Sequence, residues 1–134
     1  MEKLKETTQK ANVLKSIAPC LIVHDIYKTT QFYKDFLHFD ILRSTKDFGH
    51  VARDGIHIEF RKSDRVTVDS SCEYNERRNL EIIVENLDQL YNELLLSNVH
   101  ILWGPAEVTE KKRKFEIEDC NGYILMFAEY IDLY

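Results

Sequence analysis

Residues 114–129 read Lys114-Phe115-Glu116-Ile117-Glu118-Asp119-Cys120-Asn121-Gly122-Tyr123-Ile124-Leu125-Met126-Phe127-Ala128-Glu129: two alternating segments around a turn of Asp119, Asn121 and Gly122. Alternation at period two marks strands with one buried face. Asn-Gly takes up positive φ with little strain and so closes an antiparallel ribbon. Upstream, Leu87, Leu90, Tyr91, Leu94 and Leu95 fall at i, i+3, i+4, i+7 and i+8, the stripe of an amphipathic helix. A strand at 80–85 precedes that helix. Strands at about 100–103, 112–118 and 123–129 follow it, with Gly104-Pro105 breaking the chain after the first.

The same order occurs earlier in the chain. A strand at 17–24 leads through Asp25, a helix cap, to a helix at 29–37 carrying Thr29, Tyr33, Phe36 and Leu37 at helical spacing. Strands at about 39–44, 48–53 and 56–61 come next, the last two joined by Asp54-Gly55, a strong hairpin signal. Val23-His24-Asp25-Ile26 lines up with Val84-Glu85-Asn86-Leu87 at the two strand-to-helix junctions. Repetition of one supersecondary unit predicts an α+β chain of two βαβββ modules, each burying its sheet under its own helix. The expected boundaries are a polar N-terminal extension at 1–16, a first module at 17–62, a connection at 63–78 containing Val66-Thr67-Val68, and a second module at 79–134.

A chain of 134 residues that is 44% hydrophobic can pack one core. Its net charge of -5 argues against a nucleic-acid partner. The Lys111-Lys112-Arg113-Lys114 run reads as a solvated loop entering a strand, or else as a lip that contacts anions. Three widely spaced cysteines with no CxxC pair predict free thiols and a cytoplasmic location. No apolar run is long enough to predict a membrane span, and residues 1–15 lack the apolar core of a signal peptide.

The pattern Pro19-x-Leu21-x-Val23-x-Asp25, then Phe32-Tyr33-x-x-x-Leu37-x-Phe39, resembles the opening module of the vicinal oxygen chelate superfamily. That group includes glyoxalase I, extradiol dioxygenases, fosfomycin-resistance thiol transferases and bleomycin-resistance proteins. Val84-x-Asn86-Leu87-Asp88, Gly104-Pro105 and Phe115-x-Ile117-x-Asp119-x-x-Gly122-Tyr123-x-Leu125-x-Phe127 resemble its closing module. The family's usual Asp-Pro-Asp-Gly turn here has Cys120 and Asn121 in its two central places. The resemblance spans residues 17–130. It implies a curled mixed sheet, a half-barrel around a cleft with the helices outside, and a homodimer. In the family a divalent metal is held by residues on the first and last strands of each module.

Carried onto this chain, those ligand places fall on Ala18, Glu59, Asn79 and Met126. Of these, only Glu59 is a good ligand for a hard or borderline divalent ion. A slip of one residue offers Ile17 or Pro19 at the first place and Leu125 or Phe127 at the last, so it restores nothing. The expectation is therefore no metal and no cofactor.

Alternation assigns Cys20, Ile22, His57, Glu59, Asn79, Glu81, Ile124 and Met126 to the cleft, with His24, Arg61, Ile83 and Ala128 on the same faces. Such a lining suits a small organic molecule with an apolar body and a cationic or aromatic group. Glu59 beside His57 also admits an acid–base reading, weighed against a wet sheet face on which Arg61 partners Glu59. His24 and His50 read as lone surface or capping groups, Cys20 as a small apolar residue, and Trp103 as core or pocket wall. The leading expectation is a metal-free, dimeric binding protein resembling the bleomycin-resistance branch, with no catalytic residue. One alternative is a metal-dependent lyase or isomerase of the glyoxalase type using Glu59. Another is an interaction module with a vestigial cleft.

Overall fold

A computed structural model of the chain describes residues 11–64, 79–109 and 111–131. The first module consists of β1 (Cys20–Val23), α1 (Ile26–Leu37), β2 (Asp40–Ser44), β3 (Phe48–Arg53) and β4 (Ile56–Lys62). The second repeats that order with β5 (Asn79–Ile83), α2 (Leu87–Leu96), β6 (His100–Thr109), β7 (Lys112–Glu118) and β8 (Ile124–Tyr130). Each module makes a four-stranded mixed sheet, ordered β1-β4-β3-β2 and β5-β8-β7-β6, and neither closes into a barrel. The first strand of each sheet runs parallel to the last, and the other pairings are antiparallel. The Val66–Val68 fragment lies outside the described residues.

Each helix covers one face of its sheet. Leu21, Val23, Ile58 and Phe60 lie under α1 with Tyr33 and Leu37, while Ile82, Leu125 and Phe127 lie on the α2 side with Leu94. All of them belong to one apolar core shared by the two modules. Gly49 is the closest approach in the first module: a Cβ there would lie 2.9 Å from Thr30 and 3.0 Å from Ile26 on α1.

The two halves also grip each other. Tyr33 on α1 is fully buried and donates its hydroxyl to Asp119 Oδ2 at 2.6 Å. Asn121 Nδ2 donates to Thr29 Oγ1 at 3.0 Å, and the Tyr123 hydroxyl donates to the carbonyl of Ile22. On the other side, Arg53 from the β3–β4 hairpin makes a two-pronged pair with Glu93 on α2, at 2.9 and 3.1 Å. The turn of each module thus docks on the helix side of the other.

Three local expectations change. First, α1 begins at Ile26, directly after Asp25, whose carboxylate accepts from the Lys28 amide at 3.0 Å. Second, β6 runs through Gly104-Pro105, because it is an edge strand and the register slips on both sides of Trp103. An edge strand tolerates proline because the missing N–H removes no interior ladder bond. Third, of the Asn121-Gly122 pair only Gly122 takes positive φ. The loop is instead closed by Asp119, whose Oδ1 accepts the amides of Asn121 and Tyr123 at 2.8 and 2.9 Å. The Asp54-Gly55 hairpin, with both φ values positive, has the geometry read from the sequence.

Candidate functional site

Cys20, Ile22, His57, Glu59, Glu81, Ile124 and Met126 occupy the sheet faces turned away from the helices, and strand register fixes which of them are level. Cys20 pairs with Glu59 across β1–β4, and Glu59 pairs with His50 across β3–β4. In the second module Glu81 pairs with Met126, and Met126 with Glu116. The residues level with Glu59 and Met126 are therefore Cys20 and Glu81, two residues beyond Ala18 and Asn79. A slip of two keeps a side chain on its face, so alternation cannot detect it.

On the first module's helix-free face, His50 Nε2 and His57 Nδ1 lie 2.9 Å apart, with ring centroids separated by 5.1 Å. His50 is thus not a lone histidine. The signal was in the sequence: a two-residue loop at Asp54-Gly55 sets Ala52 opposite His57 and His50 opposite Glu59, which makes the histidines diagonal neighbours. Arg43 stacks over Phe48 at 5.4 Å on the neighbouring strands. Among the described residues, no hydrogen-bond or ion-pair partner is seen for the Glu59 carboxylate, and Arg61 does not serve as one. Cys20 is a half-buried free thiol.

The second module's helix-free face is electrostatically closed on itself. Lys112 Nζ lies 2.7 Å from Glu81, and Lys114 Nζ lies 3.0 Å from Glu116, which is nearly buried. The hydrogen bond to Glu81 raises the Lys112 pKa above its ordinary value. Lys114 also approaches Met126 Sδ at 3.6 Å and stands over the Trp103 ring at 5.9 Å. Lys112 stands over Tyr130 at 5.4 Å. Residues 112–114 of the basic run are part of β7; Lys112 and Lys114 fold back onto acids of the same face, and Arg113 pairs with Asp88 at 3.0 Å. Ile124 and Ala128 are wholly buried, so in the single chain neither meets solvent.

At the junction of the modules, burial raises the Asp119 pKa, against the hydrogen bonds from Tyr33, Asn121 and Tyr123 that favour its ionised form. Burial, then the neighbouring Asp119 carboxylate, holds the Tyr33 phenol well above its usual value. Burial also pushes the Cys120 thiol up to about 12, so this cysteine is not a ready nucleophile.

The divalent ion that the fold family implies fits this donor set poorly. Among the residues level with one another, Glu81 is engaged by Lys112 and Met126 offers only a thioether, which leaves Glu59 and the half-buried Cys20 thiol. Among the described residues no three His, Cys, Asp or Glu side chains converge as a metal site. No helix among them is long and apolar enough to cross a membrane.

No family model matches the chain, and no curated protein matches it. Solved structures do. A glyoxalase/bleomycin resistance protein/dioxygenase from Alicyclobacillus acidocaldarius superposes with a TM-score of 0.74 at 19% identity, covering 89% of this chain and 96% of that one. TioX from Micromonospora sp. ML1 gives 0.70 at 12% identity, covering 87% and 98%. A glyoxalase/bleomycin resistance protein/dioxygenase from Nocardioides gives 0.68 at 13% identity, covering 94% and 89%. At these identities the likeness speaks for backbone architecture, and it agrees with the duplicated module and strand order described above. The chain has the fold of the solved glyoxalase/bleomycin resistance protein/dioxygenase structures, as the sequence resemblance implied.

Proposed function

We propose that this protein binds a small organic molecule without transforming it and without a metal, on the helix-free face of its first module. The ligand carries a cationic group on an apolar or aromatic body. One observation carries this reading: Glu59 is the carboxylate on these faces for which no partner is seen among the described residues, whereas Glu81 and Glu116 are held by lysines. A carboxylate level with Cys20 and His50, on the face of the His50–His57 pair, with no partner seen among the described residues, complements an amine joined to an apolar body. Among the described residues the donor set that a Lewis acid would need is not assembled, so no activated water is invoked.

The working unit in this proposal is a cytoplasmic homodimer. A second copy would bring its own sheet face opposite Glu59, and Trp103 and Tyr130, 43% and 46% exposed, offer aromatic surface for the purpose. Free Cys20 and Cys120 suit a reducing compartment.

The test is titration calorimetry of the purified chain against a panel of aromatic amines and their neutral isosteres, alongside elemental analysis of the protein as isolated. Saturable binding of an amine, weakened at least tenfold in Glu59→Gln with unchanged thermal stability, is the expected result. Stoichiometric tightly held metal, together with metal-dependent turnover, would sink the proposal in favour of glyoxalase-type chemistry.

A further inference from the structure

A further cavity lies away from the faces that carry Glu59 and Glu81. It is a cleft of about 700 Å³ between the β3–β4 hairpin of the first module and the β5–α2 junction of the second. None of the eight residues assigned to the cleft from sequence lines it. Its floor is apolar, formed by Leu37, Phe39, Leu94 and Phe127, and its lips are Ile56 and Ile83, which are 38% and 49% exposed. That volume lies within the usual range of small-molecule sites, and an apolar floor is their usual lining.

The charges at the rim decide what kind of ligand fits. Among the described residues lining the cleft, Arg53 is the one cation, and it is already committed to Glu93 and to the carbonyl of Leu37. Three carboxylates, of Asp54, Glu85 and Glu93, also line the cleft, which leaves it net acidic. For the exposed Glu85 no partner is seen among the described residues. An anion has no comparable attraction here. The amides of Asn86 and Leu87 at the start of α2, the natural anion donors, are each taken by Glu129 at 3.0 Å.

We propose that this cleft is a second ligand site, for a compact aliphatic amine whose hydrocarbon lies on the Leu37–Phe127 floor and whose ammonium faces Glu85. It stands independently of the Glu59 site. The two share a preference for cations but no residue.

The probe is n-hexylamine, with 1-hexanol as its neutral match, titrated into the isotopically labelled full chain and followed by amide chemical shifts. Hexylamine should produce saturable shifts at residues 53–56 and 82–90, separate from any at the Glu59 face, and hexanol should bind there at least tenfold more weakly. Glu85→Gln should weaken hexylamine binding at least threefold. Ile83→Trp, which fills the cleft from an exposed lip, should abolish the shifts, while Glu59→Gln should leave them unchanged. Shifts at Cys20, His57 and Glu59 with none at residues 53–56 and 82–90, equal binding of the alcohol, or no saturable shift in the wild-type chain would each overturn the assignment. Amine binding that is lost in Glu59→Gln but kept in Ile83→Trp would reject this cleft while sustaining the first site.

Discussion

The two modules share one strand order and one helix placement, yet they spend their side chains differently. In the first, α1 is capped from its own sequence by Asp25 and buries Ile26, Thr29, Thr30, Tyr33 and Leu37. In the second, Asn86 precedes α2 with φ of 60° and no side-chain cap, and Glu129 on β8 supplies the carboxylate to the first amides instead. The first module's helix-free face keeps a carboxylate with no partner seen among the described residues, whereas the second ties its acids to Lys112 and Lys114. A duplicated scaffold can thus keep its architecture while the acids of its two helix-free faces are paired differently.

The largest expected break in this comparison is at the paired glycines of close approach. At Gly104, φ is 85° and a Cβ would lie 2.5 Å from the carbonyl oxygen of Lys114, so Gly104→Ala combines backbone strain with a backbone clash. At Gly49 the neighbours are side chains that can give way. Chemical denaturation should show Gly104→Ala losing more than about 3 kcal/mol and Gly49→Ala about 1–3 kcal/mol. Equal losses would show that the second module is as forgiving as the first.

Next in size is the junction between the modules. Asp119→Asn keeps the shape but weakens the acceptor for Tyr33 and two amides, and it should cost about 2 kcal/mol at neutral pH. The sign with pH follows from linkage. Burial raises the folded-state pKa of Asp119 above its unfolded value, so the folded chain holds the proton more tightly across the interval between the two. This residue's contribution is fullest below the unfolded value and declines as pH rises through the folded one. The stability gap between wild type and Asp119→Asn should therefore narrow from pH 4 upward. A gap that widens with rising pH would place the folded-state pKa below the unfolded one.

The smallest effect sharpens the contrast between the caps. Asp25→Ala and Glu129→Ala should each destabilise by about 1 kcal/mol. Their consequences should differ in place: hydrogen exchange ought to quicken at the start of α1 in the first variant. In the second it should quicken at the start of α2 and along β8 together, because one side chain joins those elements.

Sequence alone determined the two-module plan, the faces of the strands and the Asp54-Gly55 hairpin, because period-two and period-3.6 patterns and turn residues act locally. It also contained the His50–His57 pairing, since a two-residue hairpin loop fixes the register of β3 against β4. Only the tertiary structure decided which residues stand level across the parallel pairs. β1 and β4, like β5 and β8, meet through long connections that set no register, and the packed sheets bring Cys20 level with Glu59 and Glu81 level with Met126. The Lys112–Glu81 pairing, the burial of Asp119 under Tyr33 and the cleft beside α2 belong to the same class. Each arises where segments far apart in the chain pack together, and no local rule of spacing reaches that far.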